Sequence, residues 1–239
     1  MSYSNVTYAT TKPAEHYVDR NWVQSDETTF LKKHVLARGA HLLLTPASFI
    51  TSAVDTIIGL GAGIGAICTL GKHRQTFKVA SNHLSSSNKL FVRPYVNFLQ
   101  TINPEAKFSG DAANQPYIVR YLGLAKQATI SGDGDGFLSD LVINPLKDTA
   151  RTCYNSDNFL KRHVASRLTY AVLAVSSLVT RAVDGIIGIP AAGLSVLTGG
   201  KFESLNNLAY RTLQAPGIIN DLFYCTIKFI NPWTGTSNA

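Results

Sequence analysis

The sequence predicts an all-α protein made by tandem duplication of a helical-hairpin unit with long apolar helices. Three observations carry this expectation. Phe30-Leu31-Lys32-Lys33-His34-Val35 returns 129 positions later as Phe159-Leu160-Lys161-Arg162-His163-Val164. Each motif is followed by a long apolar run, over residues 42–70 and 168–197. Strand-like alternation is scarce, whereas apolar residues at 3–4 spacing recur, as in Leu222, Phe223, Ile227 and Ile230.

The repeat continues through both runs. At the same offset Arg38 matches Arg167, Ala53-Val54-Asp55 matches Ala182-Val183-Asp184, and Ile57-Ile58-Gly59 matches Ile186-Ile187-Gly188. Thr69 matches Thr198, and Gly71-Lys72 matches Gly200-Lys201. Aligned without a gap, residues 30–72 and 159–201 are identical at 19 of 43 positions. One deletion then brings Ile102-Asn103-Pro104 onto Ile230-Asn231-Pro232. This divides the chain into a polar tail (1–27), a first repeat (28–104), an acidic connector (105–158) and a second repeat (159–239).

Within each repeat the elements come in one order. Ser25 and Asp26, or Ser156 and Asp157, are N-cap candidates because their side chains can take first-turn amides. The apolar run of 29 residues over 42–70 would make one helix about 43 Å long, against a hydrocarbon layer of about 30 Å. Glycine and proline offer a break: Gly59, Gly61 and Gly63 in the first copy, Gly188 and Pro190 in the second. The expected shape is therefore a hairpin with arms over 42–58 and 61–70. An amphipathic helix ends each repeat, over 90–102 or 205–230, interrupted at Pro94 or Pro216-Gly217 and stopped by Asn-Pro. In the connector, helical patterns cover 117–127 and 137–143, the second ending at Asn144-Pro145.

Composition limits the function classes. The 239 residues are 45% hydrophobic and only 15% charged. That excludes intrinsic disorder, which needs the opposite balance, and the Gly, Pro and Cys counts exclude collagen-like and disulfide-scaffold classes. Cys68, Cys153 and Cys225 are widely spaced and read as small buried hydrophobes in a reducing compartment. The first 22 residues lack an apolar core, so no cleaved signal peptide is expected.

Charge is uneven along the chain. The net charge is +7; residues 28–104 contribute +7 and residues 159–239 contribute +4, while the tail and connector contribute −2 each. Lys32, Lys33 and Arg38 precede the first apolar run and Lys72 follows it; Lys161, Arg162 and Arg167 precede the second and Lys201 follows it. Basic residues at both ends place both ends on the cytoplasmic side. A hairpin dipping into one leaflet satisfies this, as does a helix lying on an anionic surface, with anionic lipid as the partner. A homo-oligomer or protein partner is compatible with the same pattern. Basic residues that bracket apolar runs, with no recognised binding motif, argue against nucleic acid.

Each run holds an aspartate, Asp55 or Asp184, which would cost roughly 2.5–3.5 kcal/mol at a bilayer centre. Arg181, three residues before Asp184, shares its helix face and can pair with it. Asp55 has Ser52 at that spacing and needs Arg38 or a backbone donor instead. The expectation is a buried polar contact of Asp55, Arg181 and Asp184 between hairpins. Two alternatives use the same residues: a helical pore with them in its lumen, or a soluble all-α binding module or enzyme with Asp55 and Asp184 as paired carboxylates.

Other motifs fail on chemistry. Gly61-Ala62-Gly63-Ile64-Gly65-Ala66 fits a relaxed dinucleotide fingerprint, but the second copy replaces it and no acid follows for a ribose. Gly71-Lys72 lacks the first glycine and the hydroxyl residue of a phosphate loop. Asp133, Asp135 and Asp140 do not have EF-hand spacing. His34 and His163 have no Cys or carboxylate at ligand or triad spacing and read as helix-face residues. No catalytic, cofactor or metal residue is assigned, and no enzymatic activity is expected.

Phe159-Leu160-Lys161-Arg162-His163-Val164-Ala165-Ser166-Arg167 and Val179-Thr180-Arg181-Ala182-Val183-Asp184-Gly185-Ile186-Ile187-Gly188 resemble uncharacterised repeat-containing, membrane-associated proteins of chlamydia-like intracellular bacteria. The resemblance spans about residues 159–200 and, more weakly, 30–72. It implies an intracellular bacterial protein acting at a host or vacuolar membrane, and it carries no catalytic residue.

Overall fold

A computed structural model describes residues 5–25, 29–70, 72–108 and 137–232. Among these residues there is no strand, and the chain is all-α. Helices α1 (Val6–Ala9) and α2 (Thr11–Val18) open it, and α2 winds on into a π turn, Asp19–Val23. A second π turn, Lys32–Leu36, leads into α3 (Ala37–Cys68). Then come α4 (Arg74–Leu84), a 3-10 turn and α5 (Val92–Ile102). The same order returns as α6 (Leu138–Tyr154), a π turn at Lys161–Ala165, α7 (Ser166–Leu197), α8 (Glu203–Thr212), a 3-10 turn and α9 (Ile218–Ile230).

Helices α3 and α7 are each 32 residues long and unbroken, about 48 Å at 1.5 Å per residue. The hairpin expectation therefore fails. Gly59, Gly61, Gly63, Gly188 and Pro190 all lie inside continuous helix. Glycine weakens a helix by about 1 kcal/mol, an amount that packing readily overrides. Here three of the glycines let neighbours approach. A Cβ at Gly59 would stand 2.7 Å from the Leu84 amide nitrogen, and one at Gly188 would stand 2.9 Å from Thr212 Oγ1. A Cβ at Gly63 would meet the Phe223 ring at 3.3 Å, whereas Gly61 faces open space. Pro190 and Pro46 sit on exposed faces, and the helices continue through them.

The long helices are capped by Thr29 and Asn158, again 129 positions apart. Thr29 Oγ1 accepts the Lys32 amide at 3.4 Å, and Asn158 Oδ1 accepts the Leu160 amide at 3.0 Å. Ser156 instead takes the amide of Asn158, and Asp26 lies outside the described residues. The tail is no tail: α1 and α2 pack on α3 as α6 packs on α7. Helix α6 also runs through Pro145 to Tyr154, well past the expected stop. The pattern at 117–127 and the Asp133/Asp135 turn lie outside the described residues, and Asp140 falls on α6.

The two halves meet reciprocally. Phe223 and Ile227 of α9 pack with Ala66, Phe77, Ala80 and Leu84 of the first half. Tyr95 and Leu99 of α5 pack with Ala191 and Ala209 of the second, with Leu213 against them. Tyr95 and Leu99 precede Phe223 and Ile227 by 128 positions each, so one contact is made twice in opposite senses. The helix ends repeat the exchange. Leu70 and Gly199, the residues closing α3 and α7, both have positive φ, 52° and 62°. Asn231 Nδ2 donates to Leu70 O at 3.2 Å, and Asn103 Nδ2 donates to Gly199 O at 3.1 Å. This geometry explains why Asn-Pro closes both halves. The asparagine terminates the last helix and ties down the other half's long helix.

Candidate functional site

The long helices have their polarity reversed with respect to a soluble core helix. Every exposed residue of α3 between Leu42 and Cys68 is apolar, glycine or proline, with Leu43, Ile50, Ile57 and Ile64 foremost. The exposed face of α7 from Leu168 to Leu197 is likewise free of polar side chains, with Leu197, Ile189, Ile186 and Val175 outermost. Polar groups point inward. The buried residues of α3 are Ala37, His41, Ser48, Ser52, Asp55, Thr56, Gly59, Gly63 and Ala66, without a single large aliphatic side chain. In α7 Leu173 is the sole large aliphatic among buried Ser, Thr, Tyr, Arg, Asp and small residues. Both helices are long and apolar enough to cross a membrane. Cys68 lies on the exposed face of α3, contrary to the expectation of a buried thiol, while Cys225 is buried.

The buried aspartates cap helices. Asp55 Oδ1 accepts the Val6 amide at 2.8 Å and Oδ2 the Thr7 amide at 2.9 Å, while Thr7 Oγ1 donates to Oδ2 as well. His83 Nδ1 stands 2.8 Å from Oδ1. Asp184 repeats the arrangement at the start of α6. It accepts the Leu138 amide at 2.8 Å, the Ser139 amide at 3.1 Å and the Ser139 hydroxyl at 2.7 Å. Two amides left open at a helix start are thus satisfied by a carboxylate from the neighbouring long helix. Asp55 and Asp184 share no partner, so the expected contact between them is not formed. Arg181 does not pair with Asp184 either. Its Nε and Nη2 both reach Asp221 Oδ2 at 3.0 Å, and Nη1 donates to the Gln214 carbonyl at 3.2 Å.

The ion pairs behind the apolar faces are opposite in sense in the two halves. In the first, Arg93 Nη2 of α5 donates to Glu15 Oε2 of α2 at 2.6 Å. In the second, Asp221 of α9 faces Lys147 Nζ of α6 at 3.6 Å and accepts from Ser177 Oγ at 2.9 Å. Around Glu15 the interior is polar: Asn97 Nδ2 donates to Oε1 at 2.7 Å and its Oδ1 lies 3.0 Å from His41 Nδ1. The counterpart of Asn97 in the second half is Cys225, in a small apolar core with Ile143 and Leu173. Burial pushes the Cys225 thiol up to about 12 and the Lys228 ammonium down to about 8.

The sequence-derived basic residues take two kinds of place. Lys32, Lys72, Lys161, Arg162 and Lys201 are exposed, and Arg38 and Arg167 are half-buried. Lys33 is half-buried and paired with Glu105, whose carboxyl it holds below the usual carboxylate range. Lys32 and Lys72 lie at opposite ends of the α3 unit, about 48 Å of helix apart, and Lys161 and Lys201 likewise flank α7. Sequence reasoning missed His41, His83, Glu15, Arg93 and Asp221. Their partners are 28 to 82 positions away, and periodicity carries no signal for such pairs. Among the described residues no three His, Cys, Asp or Glu side chains converge as a metal ion would require. The chain matches no protein-family model, no curated protein and no solved structure.

Proposed function

We propose that this chain is a membrane-associated helical interaction protein, seated on the cytoplasmic face of a bilayer by the outer faces of α3 and α7, without catalytic activity. One observation supports this above others: the exposed face of each long helix is wholly apolar while its buried face carries the polar groups. A soluble helix has the opposite arrangement, and contiguous exposed apolar surface marks a membrane or partner site. A helix lying along the surface keeps both basic ends in one headgroup layer, with its apolar side immersed about 5–10 Å. That also suits a length that exceeds the hydrocarbon thickness of about 30 Å. The repeated element order fits an origin by duplication, which would give one chain two such faces.

Flotation of the purified protein with phospholipid vesicles, followed by an alkaline carbonate wash, tests the reading. The protein is expected to rise with the vesicles and resist the wash. A monodisperse soluble species that stays at the bottom overturns it, and a soluble dimer would show that a second copy covers the faces instead.

A further inference from the structure

The segment repeated most faithfully is also one of the most exposed. Phe-Leu-Lys-Lys/Arg-His-Val is the same at five of six positions in the two halves, over 30–35 and 159–164. Phe30 is 76% and Phe159 69% exposed, so the retained aromatic is not held by the core. Each ring tilts against the histidine one turn on, with centroids 4.6 Å apart for Phe30 and His34 and 4.5 Å for Phe159 and His163. Both segments run into the π turn that precedes a long helix, a distortion that costs regular hydrogen bonding and often accompanies function.

The next repeated residue carries the second observation. Arg38 and Arg167 occupy equivalent positions, and in both the Nε is buried with no hydrogen-bond partner among the described residues. A guanidinium has five donors and cannot shed its charge. The terminal Nη groups of both guanidiniums are not buried and have no partner among the described residues, so an acceptor from outside the chain can reach them. Lys32 and Lys161, exposed and without a carboxylate partner among the described residues, add charge six residues earlier in each copy.

Building on the membrane reading above, we propose that each π turn forms an anchor for the phosphate of an anionic phospholipid. Arg38 with Lys32, and Arg167 with Lys161, bind the headgroup, while Phe30-Leu31 and Phe159-Leu160 enter the acyl layer as a wedge. Arginine suits this role because its planar fork meets phosphate oxygens in pairs. The chain thus engages two anionic lipids at once, and the second is captured at high effective concentration.

The test compares the 239-residue chain on vesicles of phosphatidylcholine alone and of phosphatidylcholine with phosphatidylglycerol. The wild type is expected to favour the anionic vesicles, with the preference falling as salt rises. Arg38→Gln with Arg167→Gln should weaken binding to anionic vesicles about thirty-fold and leave binding to neutral vesicles unchanged. Arg38→Lys with Arg167→Lys should keep part of the preference, with the helical circular-dichroism signal intact in every variant. The proposal is overturned if wild type binds both vesicles equally, or if the glutamine variant retains the preference. Failure of wild type to bind either vesicle removes the membrane reading and this proposal together.

Discussion

Gly188 and Gly193 lie five residues apart on one helix, yet substitution should affect them in opposite directions. A Cβ at Gly188 would stand 3.0 Å from the Thr212 carbonyl carbon and 3.1 Å from the Leu213 amide, and backbone cannot swing aside. A Cβ at Gly193 would meet nothing within 4 Å. Gly188→Ala is therefore expected to destabilise by about 1–3 kcal/mol through overpacking. Gly193→Ala should stabilise by about 0.5–1 kcal/mol, since alanine has less conformational freedom to lose on folding. Chemical denaturation of the two variants beside wild type checks both signs; equal effects would show that α8 does not lie against α7 at Gly188. Sequence alone marks Gly188 as a candidate break. Only the position of Thr212 tells a glycine that admits a neighbour from one that does not.

Opposite charges address each N-terminal helix to its own half. Glu15 and Lys147 occupy matching places on α2 and α6, as do Arg93 and Asp221 on α5 and α9, and each pair is inverted with respect to the other. Docking α6 in the place of α2 would set Lys147 against Arg93, and the reverse exchange would set Glu15 against Asp221. Like charges brought together away from water select against both errors. Glu15→Lys is expected to cost about 3 kcal/mol, as expected when one partner of a buried pair is reversed. Adding Arg93→Asp should recover about half of that, because Asn97 still loses its bond to Glu15. A double-mutant cycle from thermal or denaturant melts reads the coupling, and additive losses would refute the pairing. This level of organisation was only half legible in the sequence. The period of apolar residues marks α3, α5, α7 and α9; a 129-residue offset aligns α3 with α7 and, after one deletion, a 128-residue offset aligns α5 with α9. Helices α1, α2 and α6 look like tail and connector because their anchors, Thr7 and Ser139, reach Asp55 and Asp184 across 48 and 45 positions. Helix α4 follows a polar exit and has no apolar run to announce it.

At the scale of the molecule the decisive property is where the apolar side chains are. A sequence run of apolar residues is the same string whether its side chains meet a core or an outside medium. Length and composition of 42–70 therefore allowed a hairpin, a soluble helix or a surface-seated one. The fold removes the hairpin and leaves one side of each helix uncovered: α4, α5 and the capping helices cover the polar side of α3, while α8, α9 and α6 cover that of α7. Ile57 and Ile186, matched positions 68% and 71% exposed, lie on the uncovered sides. Replacing both with lysine should leave the helical content and the melting transition near those of wild type, because an exposed side chain away from core contacts changes stability little. Membrane partition should respond differently. Each isoleucine withdrawn from an apolar layer forfeits about 2 kcal/mol, so the double variant should lose flotation with neutral vesicles almost entirely. A variant that stays folded and still floats would show that these faces do not seat the protein. One that unfolds would show that they are core, packed in solution against something that the isolated chain does not supply.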